Sequence, residues 1–464
     1  REAGREVLVL SKSPPELGTC TLLSGGGLGG ALGGLSRGEH RARTLHSGRG
    51  INQPDLLELF VEEAPLRIQE LAAWGMKISL SSGMAMALGA PPAVGREIIR
   101  TLLDRARSAG IRFLSQVVAC RLAADPPAGV GALVYEARKG LWMGIAAKAV
   151  VLATGGAGAL YLRHDNPQRI TGDGYALAIQ AGAKLKDMEF VQFYSMAAAE
   201  PGRPAVLIMP GVADQGRLVN DRGENLLDKY GIHDRPAASR ARDRLAQAIF
   251  QEAHVEGRQV YLDLTGADTE KLSGDHLNSS NWTYVDRIFQ ARERPVRVAP
   301  AAHFMMGGLF ITPDGSTGVP GLFAAGEVVG GLHGANRLGG NALSECLVFG
   351  ARAGKAAASW AGETRISQAG NLFGRLEEGI PSVGCASSPR SPARNFKQLL
   401  RQILWECGGI FREKAGLTEG LQRLDRLEQE VRAFRPGPSP LEIGRTLELR
   451  QGLLTARVIL EAAL

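Results

Sequence analysis

Apolar positions in the first 160 residues alternate between short runs and helical periodicity. The run EVLVLSKS ends a short strand near Ser11, and IRFLSQVVACRLAAD is typical of strand as well. Between them, apolar residues fall every three or four positions, as at Leu56, Phe60 and Val61 and again over REIIRTLLDRARSAG. AKAVVLATGGAG is a continuous apolar strand that meets a Gly-rich turn. Strands that alternate with helices predict an α/β domain with a parallel sheet.

The periodicity of apolar residues also divides the rest of the chain into predicted domains. Between 191 and 300, Pro and Gly interrupt the periodicity around one clear strand, VYLDLT, which predicts an inserted α+β lobe. The buried run VPGLFAAGE returns to the first domain, so that domain is discontinuous, with parts at 1–190 and 301–362. A Ser/Pro/Arg-rich linker is predicted at 365–392. From 393 to 464 the periodicity is helical, and SPLE has the pattern of a capping box.

Composition and charge narrow the classes of function. The net charge of +7 is spread thinly, and the densest basic stretch, RPAASRARDR, contains no aromatic residue and predicts a solvated helix face rather than a nucleic-acid surface. Five scattered Cys form no CxxC pair, which argues against metal ligation and favours a reducing, cytoplasmic compartment. No uncharged apolar stretch reaches membrane-spanning length. A targeting segment ahead of Arg1 stays an open question.

A Gly pair stands ahead of an apolar helical run in HGANRLGGNALSE, residues 333–345. Gly339 and Gly340 disfavour helix, and Arg337 lies just before them. The start of a helix exposes unpaired N–H groups with a partial positive charge, and glycines allow a flat or anionic ligand to approach that backbone. An ordinary Gly-rich loop is the simpler interpretation of these residues when they are taken alone.

Three long blocks together identify a family. The chain reads VVLATGGAGALYLRHDNPQRITGDGYALAIQAGAKLKDMEFVQF at 150–193, HFMMGGLFITPDGSTGVPGLFAAGEVVGGLHGANRLGGNALSECLVFGARAG at 303–354, and GGIFREKAGLTEGL at 408–421. In order and wording these blocks resemble the flavoprotein subunits of succinate dehydrogenase and fumarate reductase, and their relative L-aspartate oxidase. The resemblance implies a Rossmann-like FAD-binding domain, a capping domain inserted at 191–300, and a C-terminal helical domain.

The resemblance also assigns cofactor contacts along the FAD-binding domain. Ser11 and Lys12 are expected near the adenosine ribose, and Val118 beside the adenine. The helix that starts at Asn341 is expected to face the flavin ring, where its partial positive charge stabilises the reduced, anionic flavin. The full expected set is Ser11, Lys12, Ser24, Gly26, Gly27, Val118, Ala153, Thr154, Gly155, Gly156, Asp173, Glu327, Asn341, Ala342 and Leu343.

A second Gly-rich motif, Gly25-x-Gly27-x-x-Gly30, matches the pattern of a dinucleotide-binding loop but stands in the wrong place. Such a loop follows the first strand of its unit, whereas this one follows VLVLSK, which resembles the second strand. By resemblance it is the loop that passes the flavin ring. The pyrophosphate loop is therefore expected ahead of Arg1. A chain that begins at Arg1 is expected to hold FAD poorly or not at all, whereas the full-length protein is expected to bind it.

Several positions that bind a dicarboxylate in the relatives are changed here. FVQFYSM places Tyr194 where the relatives have a substrate-contacting His. MPGVADQG places Pro210 and Ala213 at an acidic and a basic position, and RDRLAQAI places Gln247 at the proton-transferring Arg. A Gln amide cannot transfer protons near neutral pH, so fumarate, succinate and aspartate are expected to be poor substrates.

His303, in HFMMGG, and Arg337 are retained from the substrate set, and with Tyr194 they form the predicted catalytic residues. The hypothesis is hydride transfer at an activated C–C bond of another small molecule, with Tyr194 as proton donor or acceptor. A positive neighbour is expected to lower the pKa of this Tyr from its ordinary value of about 10. The alternative interpretation of Tyr194 is an aromatic that merely packs over the flavin ring, and both stay open.

Two functions of other classes are also open. One is a non-catalytic flavin subunit that exchanges electrons with a protein partner, peripheral to a membrane complex, and the other is an oxidase similar to L-aspartate oxidase. Cys20 stands where the membrane-bound relatives attach their flavin covalently to a His. Non-covalent FAD is therefore expected, although a thioether to Cys20 is chemically possible.

Overall fold

The computed structural model describes residues 1–89, 94–125, 129–203, 205–268, 270–272, 276–366, 374, 376 and 392–464. In this part of the chain the strands are β1 Leu8–Ser11, β2 Gly27–Gly29, β3 Ile78–Ser81, β4 Met84–Ala87, β5 Arg112–Ser115, β6 Val117–Asp125, β7 Gly129–Glu136, β8 Leu141–Ala147, β9 Val150–Leu152, β10 Leu185–Lys186, β11 Val191–Ala198, β12 Arg217–Asn220, β13 Val260–Asp263, β14 Val296–Met305, β15 Gly308–Leu309 and β16 Leu322–Ala324. The helices are α1 Cys20–Leu23, α2 Arg37–Ser47, α3 Pro54–Ala73, α4 Gly95–Ser108, α5 Asp173–Gln180, α6 Pro210–Ala213, α7 Leu226–Lys229, α8 Ala237–Arg240, α9 Arg242–Phe250, α10 His276–Phe289, α11 Asn341–Glu363, α12 Pro392–Cys407, α13 Lys414–Ala433 and α14 Pro440–Ala463.

The first domain contains parallel strand pairs, as the alternating pattern predicted, but also the antiparallel sheets β2–β4–β3 and β6–β7–β8. β1 pairs in parallel with β5, and β9 pairs in parallel with β16. The periodic face of α3 is buried: Leu56, Leu57, Phe60, Val61 and Ala64 pack in the main core with these strands, whereas Ile68 and Leu71 pack in a second cluster with residues of β2, β4 and α4. The side chains of Leu8, Val9 and Val151 are each more than a third exposed, which is unusual for apolar residues of a parallel sheet.

The inserted lobe is built around an antiparallel sheet with the strand order β11–β14–β13–β12. α9 packs on β11 and β14. The inserted lobe has an apolar cluster of its own, formed by residues between 196 and 298. This cluster includes Trp282 and Phe289 of α10 and is separate from the main core. The bounds predicted for this lobe and for the other domains stay predictions.

Three helices, α12, α13 and α14, pack on one another at the C-terminus, where helical periodicity was predicted. Ser439 does precede α14, but its side chain makes no capping hydrogen bond, so the capping-box prediction is wrong in that detail. Glu442 instead accepts a hydrogen bond from the backbone N–H of Ala393, at 3.1 Å, and so stabilises the start of α12. Most of the predicted linker at 365–392 lies outside the described residues. No helix in the described ranges is long and apolar enough to cross a membrane.

Candidate functional site

The start of α11 is pressed against β2. Gly340 precedes the helix with a φ of +85°, and its carbonyl oxygen accepts a hydrogen bond from the backbone N–H of Gly29, at 3.0 Å. A Cβ at Gly340 would lie 2.7 Å from the Met84 side chain, so only glycine fits both the backbone conformation and the space. Packing and backbone conformation therefore explain why the second residue of the Gly pair, Gly340, is a glycine.

Buried hydrogen bonds fix the loop that carries Arg337 at both ends. At one end, the Asn341 side chain contacts His40 Nε2 through Oδ1 and donates to Thr44 Oγ1 through Nδ2, both at 3.0 Å. At the other end, His333 Nε2 lies 2.9 Å from Glu345 Oε2, and each of these side chains is almost fully buried. The Asn341 side chain therefore holds α2 to α11. Its contact with the cofactor stays a prediction.

A second part of the candidate cofactor site lies where β9 ends. Ala153 and Thr154 are exposed there, and a Cβ at Gly156 would lie 2.2 Å from Oε1 of the buried Glu327. The same Oε1 accepts the backbone N–H of Met305 at 3.1 Å. Burial raises the pKa of Glu327 to about 7, so this carboxyl group can donate or accept a hydrogen bond near neutral pH. Such a group suits a ligand hydroxyl.

Lys12, predicted near the adenosine ribose, and Asp173, predicted to bind the cofactor, contact each other directly. Lys12 Nζ lies 2.6 Å from Asp173 Oδ2 and donates to Thr171 Oγ1 at 3.0 Å. Glu448, on the C-terminal helix α14, approaches the same ammonium group at 4.0 Å and binds Arg169 through Nε at 2.8 Å. Sequence reasoning missed the approach of α14 to this site, because nothing in the apolar pattern of the helix sets Glu448 apart.

The remaining predicted cofactor residues occupy local positions that the structure defines. Ser24 Oγ donates to the Thr21 carbonyl at 2.7 Å and closes α1, while Gly27 pairs with Met86. Val118 is fully buried in β6, paired with Tyr135. For the other predicted cofactor residues, the contact with FAD stays a prediction: Ser11, Gly26, Gly155, Ala342 and Leu343.

The predicted catalytic residues Tyr194 and His303 lie together. Their ring centroids are 5.5 Å apart, with an angle of 63° between the ring planes. His303 Nδ1 lies 2.7 Å from Asp165 Oδ2, and Asn166 Nδ2 donates to the His303 carbonyl at 3.0 Å. Asp165 thus orients the imidazole and leaves Nε2 for a ligand.

Arg337 lies in the loop just before α11. Its Nη2 and Nε donate to Gln192 Oε1 at 2.9 and 3.2 Å, and its guanidinium carbon lies 5.0 Å from the centroid of the Phe304 ring. Burial and the neighbouring charge of Arg242 lower the pKa of Arg337 to about 10, so it stays charged at neutral pH. A charged, positioned guanidinium is suited to a carboxylate.

Arg242 is the site residue that sequence reasoning missed. Its guanidinium carbon lies 5.5 Å from the centroid of the Tyr194 ring, and its Nε is buried without a hydrogen-bond partner among the described residues. Gln247, assigned to the proton-transferring position from the sequence, is exposed on the same helix, so that assignment is wrong. The basic stretch taken as a solvated face therefore supplies one inward cation.

Tyr194 also differs from its prediction. Burial raises its pKa to about 12, and the opposing effects of Arg242 and Arg337 do not reverse that rise. The expectation of a lowered pKa was wrong because the side chain is only 7% exposed, and desolvation disfavours the phenolate. At neutral pH Tyr194 is therefore a hydrogen-bond or proton donor.

The match to known proteins decides the family. A family model described as an FAD binding domain matches residues 1–343. The chain belongs to this FAD-binding family. It is 31% identical to one component of the CoM/CoB fumarate reductase of Methanothermobacter marburgensis, over 98% of the chain and 87% of the relative. It is 32% identical to the L-aspartate oxidase of Streptomyces coelicolor, over 99% of the chain and 82% of the relative.

The fold agrees with that membership. The structure of Mycobacterium smegmatis Sdh1 in complex with UQ1 matches with a TM-score of 0.85 at 29% identity, covering all of this chain and 83% of Sdh1. The resemblance drawn from the sequence is thereby confirmed, and the protein is an FAD-dependent oxidoreductase. The residues present fit FAD, since the Gly-rich turn after β9 combines the exposed Ala153 and Thr154 with a glycine backbone at Gly156 that lies directly against the buried Glu327.

Proposed function

We propose that this flavoprotein transfers hydride at an activated C–C double bond of a small monocarboxylate, and that fumarate and succinate are not its preferred substrates. FAD supplies the hydride donor or acceptor when it is bound. Residues of the chain would bind the carboxylate, orient the double bond and provide the proton. Among compounds with these properties, 2-enoates are the simplest.

The approach of two cations carries the proposal. Arg242 and Arg337 belong to different domains, and both act on Tyr194 electrostatically. The charge of Arg242 lowers the pKa of Arg337, so the two guanidinium groups repel each other, and an anion bound between them would relieve that repulsion. Arg242 also has a buried Nε without a partner within the described structure, which favours an acceptor supplied by a ligand.

Tyr194 and His303 would serve the substrate at the reacting end. A neutral phenol beside two cations can give a proton to the carbon that does not receive hydride, and the charges of Arg242 and Arg337 would stabilise the phenolate that remains. The Asp165 contact keeps a proton on Nδ1 of His303, so that Nε2 is the acceptor in the neutral ring. His303 would therefore position a substrate or proton donor.

The far wall of the pocket supports a monocarboxylate. Tyr194 O–H lies 3.8 Å from Met209 Sδ, and Met209 is followed by Pro210, which starts α6. Val212 and Ala213 of α6 are buried and apolar. A second carboxylate here would find no cation on α6, whereas an alkyl substituent would lose little by leaving water.

Two further features belong to the proposal. Burial, and then the charges of Glu327 and Asp165, raise the pKa of the Cys20 thiol well above its ordinary value, which disfavours the thiolate needed for a covalent bond to FAD. We therefore propose non-covalent FAD. The fumarate reductase relative from Methanothermobacter marburgensis is one component of a multi-subunit enzyme. That relative supports a protein partner that supplies electrons, with the chain at the periphery of a larger complex.

The test uses FAD-loaded protein reduced with dithionite under nitrogen. Crotonate, cyclohexenone and fumarate are added in separate experiments, and the return of oxidised flavin absorbance is followed. Crotonate is expected to reoxidise the flavin fastest. Preference for fumarate would overturn the substrate assignment. Reduction of the oxidised protein by L-aspartate, with rapid reoxidation by O₂, would favour an oxidase instead, and no reaction with any of these compounds would favour an electron-transfer subunit.

A further inference from the structure

An aromatic cluster joins the capping lobe to the C-terminal helices. Phe250, at the end of α9, has its ring centroid 5.5 Å from that of Trp405 and 5.5 Å from that of Phe411. Trp405 belongs to α12, and Phe411 lies in the segment between α12 and α13. Phe250 and Trp405 are only 3% and 4% exposed, so this contact is part of the packed interior.

The same cluster reaches the strand that carries Tyr194. The Phe193 ring lies 6.1 Å from Trp405 and 5.3 Å from Tyr161, both in edge-on geometry. Tyr161 O–H donates to the Gly408 carbonyl at 3.2 Å, which holds the segment after α12. Phe193 directly precedes Tyr194, so the cluster supports β11 from behind the catalytic side chain.

Phe250 does not belong to the core of the lobe from which it comes. Leu245 and Ile249, on the same helix, pack in the apolar cluster of the capping lobe, whereas Phe250 packs in the main core with Trp405. The nine-residue helix α9 begins at Arg242, about 12 Å away along its axis. The end of α9 is therefore held by the C-terminal helices, while its start presents Arg242 to the site.

We propose that Trp405 and Phe411 are positioning residues for Arg242, acting through Phe250. The C-terminal helical domain thereby sets how closely the capping-lobe cation approaches Tyr194 and the substrate. This inference rests on the proposed role of Arg242 in turnover. A helix held at one end transmits a small displacement to the other, and a shift of about 1 Å in a catalytic group lowers rates substantially.

Phe411 is the residue to change, because its ring is 41% exposed and its truncation leaves the buried Trp405–Phe250 contact in place. Phe310, 43% exposed in the FAD-binding domain, provides the matched control. Hydrogen exchange of the FAD-loaded protein is measured over 242–255 in Phe411→Ala and Phe310→Ala. Phe411→Ala removes one aromatic pair, so exchange over 242–255 is expected to be about twofold to tenfold faster in this variant. Phe310→Ala is expected to leave exchange in that segment unchanged. Unchanged exchange would overturn the inference.

Turnover separates positioning from general stability. With crotonate as the probe, Phe411→Ala is expected to lower kcat/KM roughly tenfold at unchanged FAD content, and Phe411→Tyr to restore it. In an Arg242→Gln background, Phe411→Ala is expected to have no further effect, because the group it positions is gone. Additive losses would overturn the inference. If crotonate is not turned over by the unmodified protein, the proposed function fails, and the exchange experiment still decides the positioning.

Discussion

Arg242 and Arg337 approach Tyr194 from different domains, and the charge of Arg242, after burial, contributes to lowering the pKa of Arg337 to about 10. One guanidinium is held by Gln192, while the other has a buried Nε that lacks a partner in the described residues. The pair thus consists of a fixed cation and a cation that a ligand would complete. This asymmetry determines which substitutions are informative.

Replacing Arg242 tests the corrected assignment most directly. Arg242→Gln removes the charge and leaves a shorter polar side chain, and we expect kcat/KM to fall by about a hundredfold because a charged donor to the substrate is lost. Gln247→Ala, five positions along the same helix and exposed, should stay within about twofold. Steady-state turnover with crotonate measures both. A larger loss in Gln247→Ala than in Arg242→Gln would contradict the corrected assignment.

Tyr194→Phe distinguishes a proton donor from a packing ring. We expect turnover to fall by about a hundredfold or more while FAD content is unchanged, because the ring remains and only the O–H is lost. Tyr261→Phe, in which a surface hydroxyl loses its bond to Gln259, is the control and should be neutral. Full turnover in Tyr194→Phe would mean that the ring only packs.

Deprotonation of Tyr194 is not expected to limit turnover in moderately alkaline solution. Its pKa of about 12, raised by burial, keeps the donor protonated well above its ordinary value of 10.0. Below pH 10, kcat is therefore not expected to fall because Tyr194 loses its proton. The pH–rate profiles of the unmodified protein and of Tyr194→Phe should have the same shape in this range. A descending limb near neutral pH that disappears in the variant would contradict the raised pKa.

Glu327 makes the stability of the FAD-free protein depend on pH. Burial raises its pKa from 4.5 to about 7, so the folded state binds a proton that the unfolded state releases across this interval. Stability therefore falls as pH rises from 4.5 to about 7. Thermal melts should show this decline, and Glu327→Gln, which keeps the shape without the charge, should flatten it. An equal decline in the variant would assign the effect to other groups.

The buried bonds at Asn341 should matter for both folding and cofactor retention. Asn341→Ala leaves the imidazole of His40 without its partner, and we expect a loss of about 1–3 kcal/mol in the free energy of unfolding. Because the same bonds hold the mouth of α11, FAD should dissociate faster as well. Denaturant titration and flavin release measure the two effects. Asn395→Ala, on the exposed face of α12, is the control and should change neither.

The family, the cofactor and the parallel α/β core could be predicted because long continuous stretches of sequence carry the residues that identify them. His303, Arg337 and the glycines at the mouth of α11 lie inside such blocks. Arg242 lies in a segment without such a block, where the family pattern placed Gln247 at the proton-transferring position. Five positions rotate a side chain by roughly 140° around a helix, so the wrong choice faced solvent. Glu448 and the Phe250 cluster depend on packing between distant segments, which local patterns do not encode.

Three consecutive residues of β11 face different neighbours. Gln192 holds Arg337, Phe193 enters the aromatic cluster, and Tyr194 faces His303. Side chains alternate along a strand, so the middle residue contacts the C-terminal helices while its two neighbours border the pocket. A substitution in those helices is therefore expected to reach the pocket through Phe193 without touching the pocket lining itself.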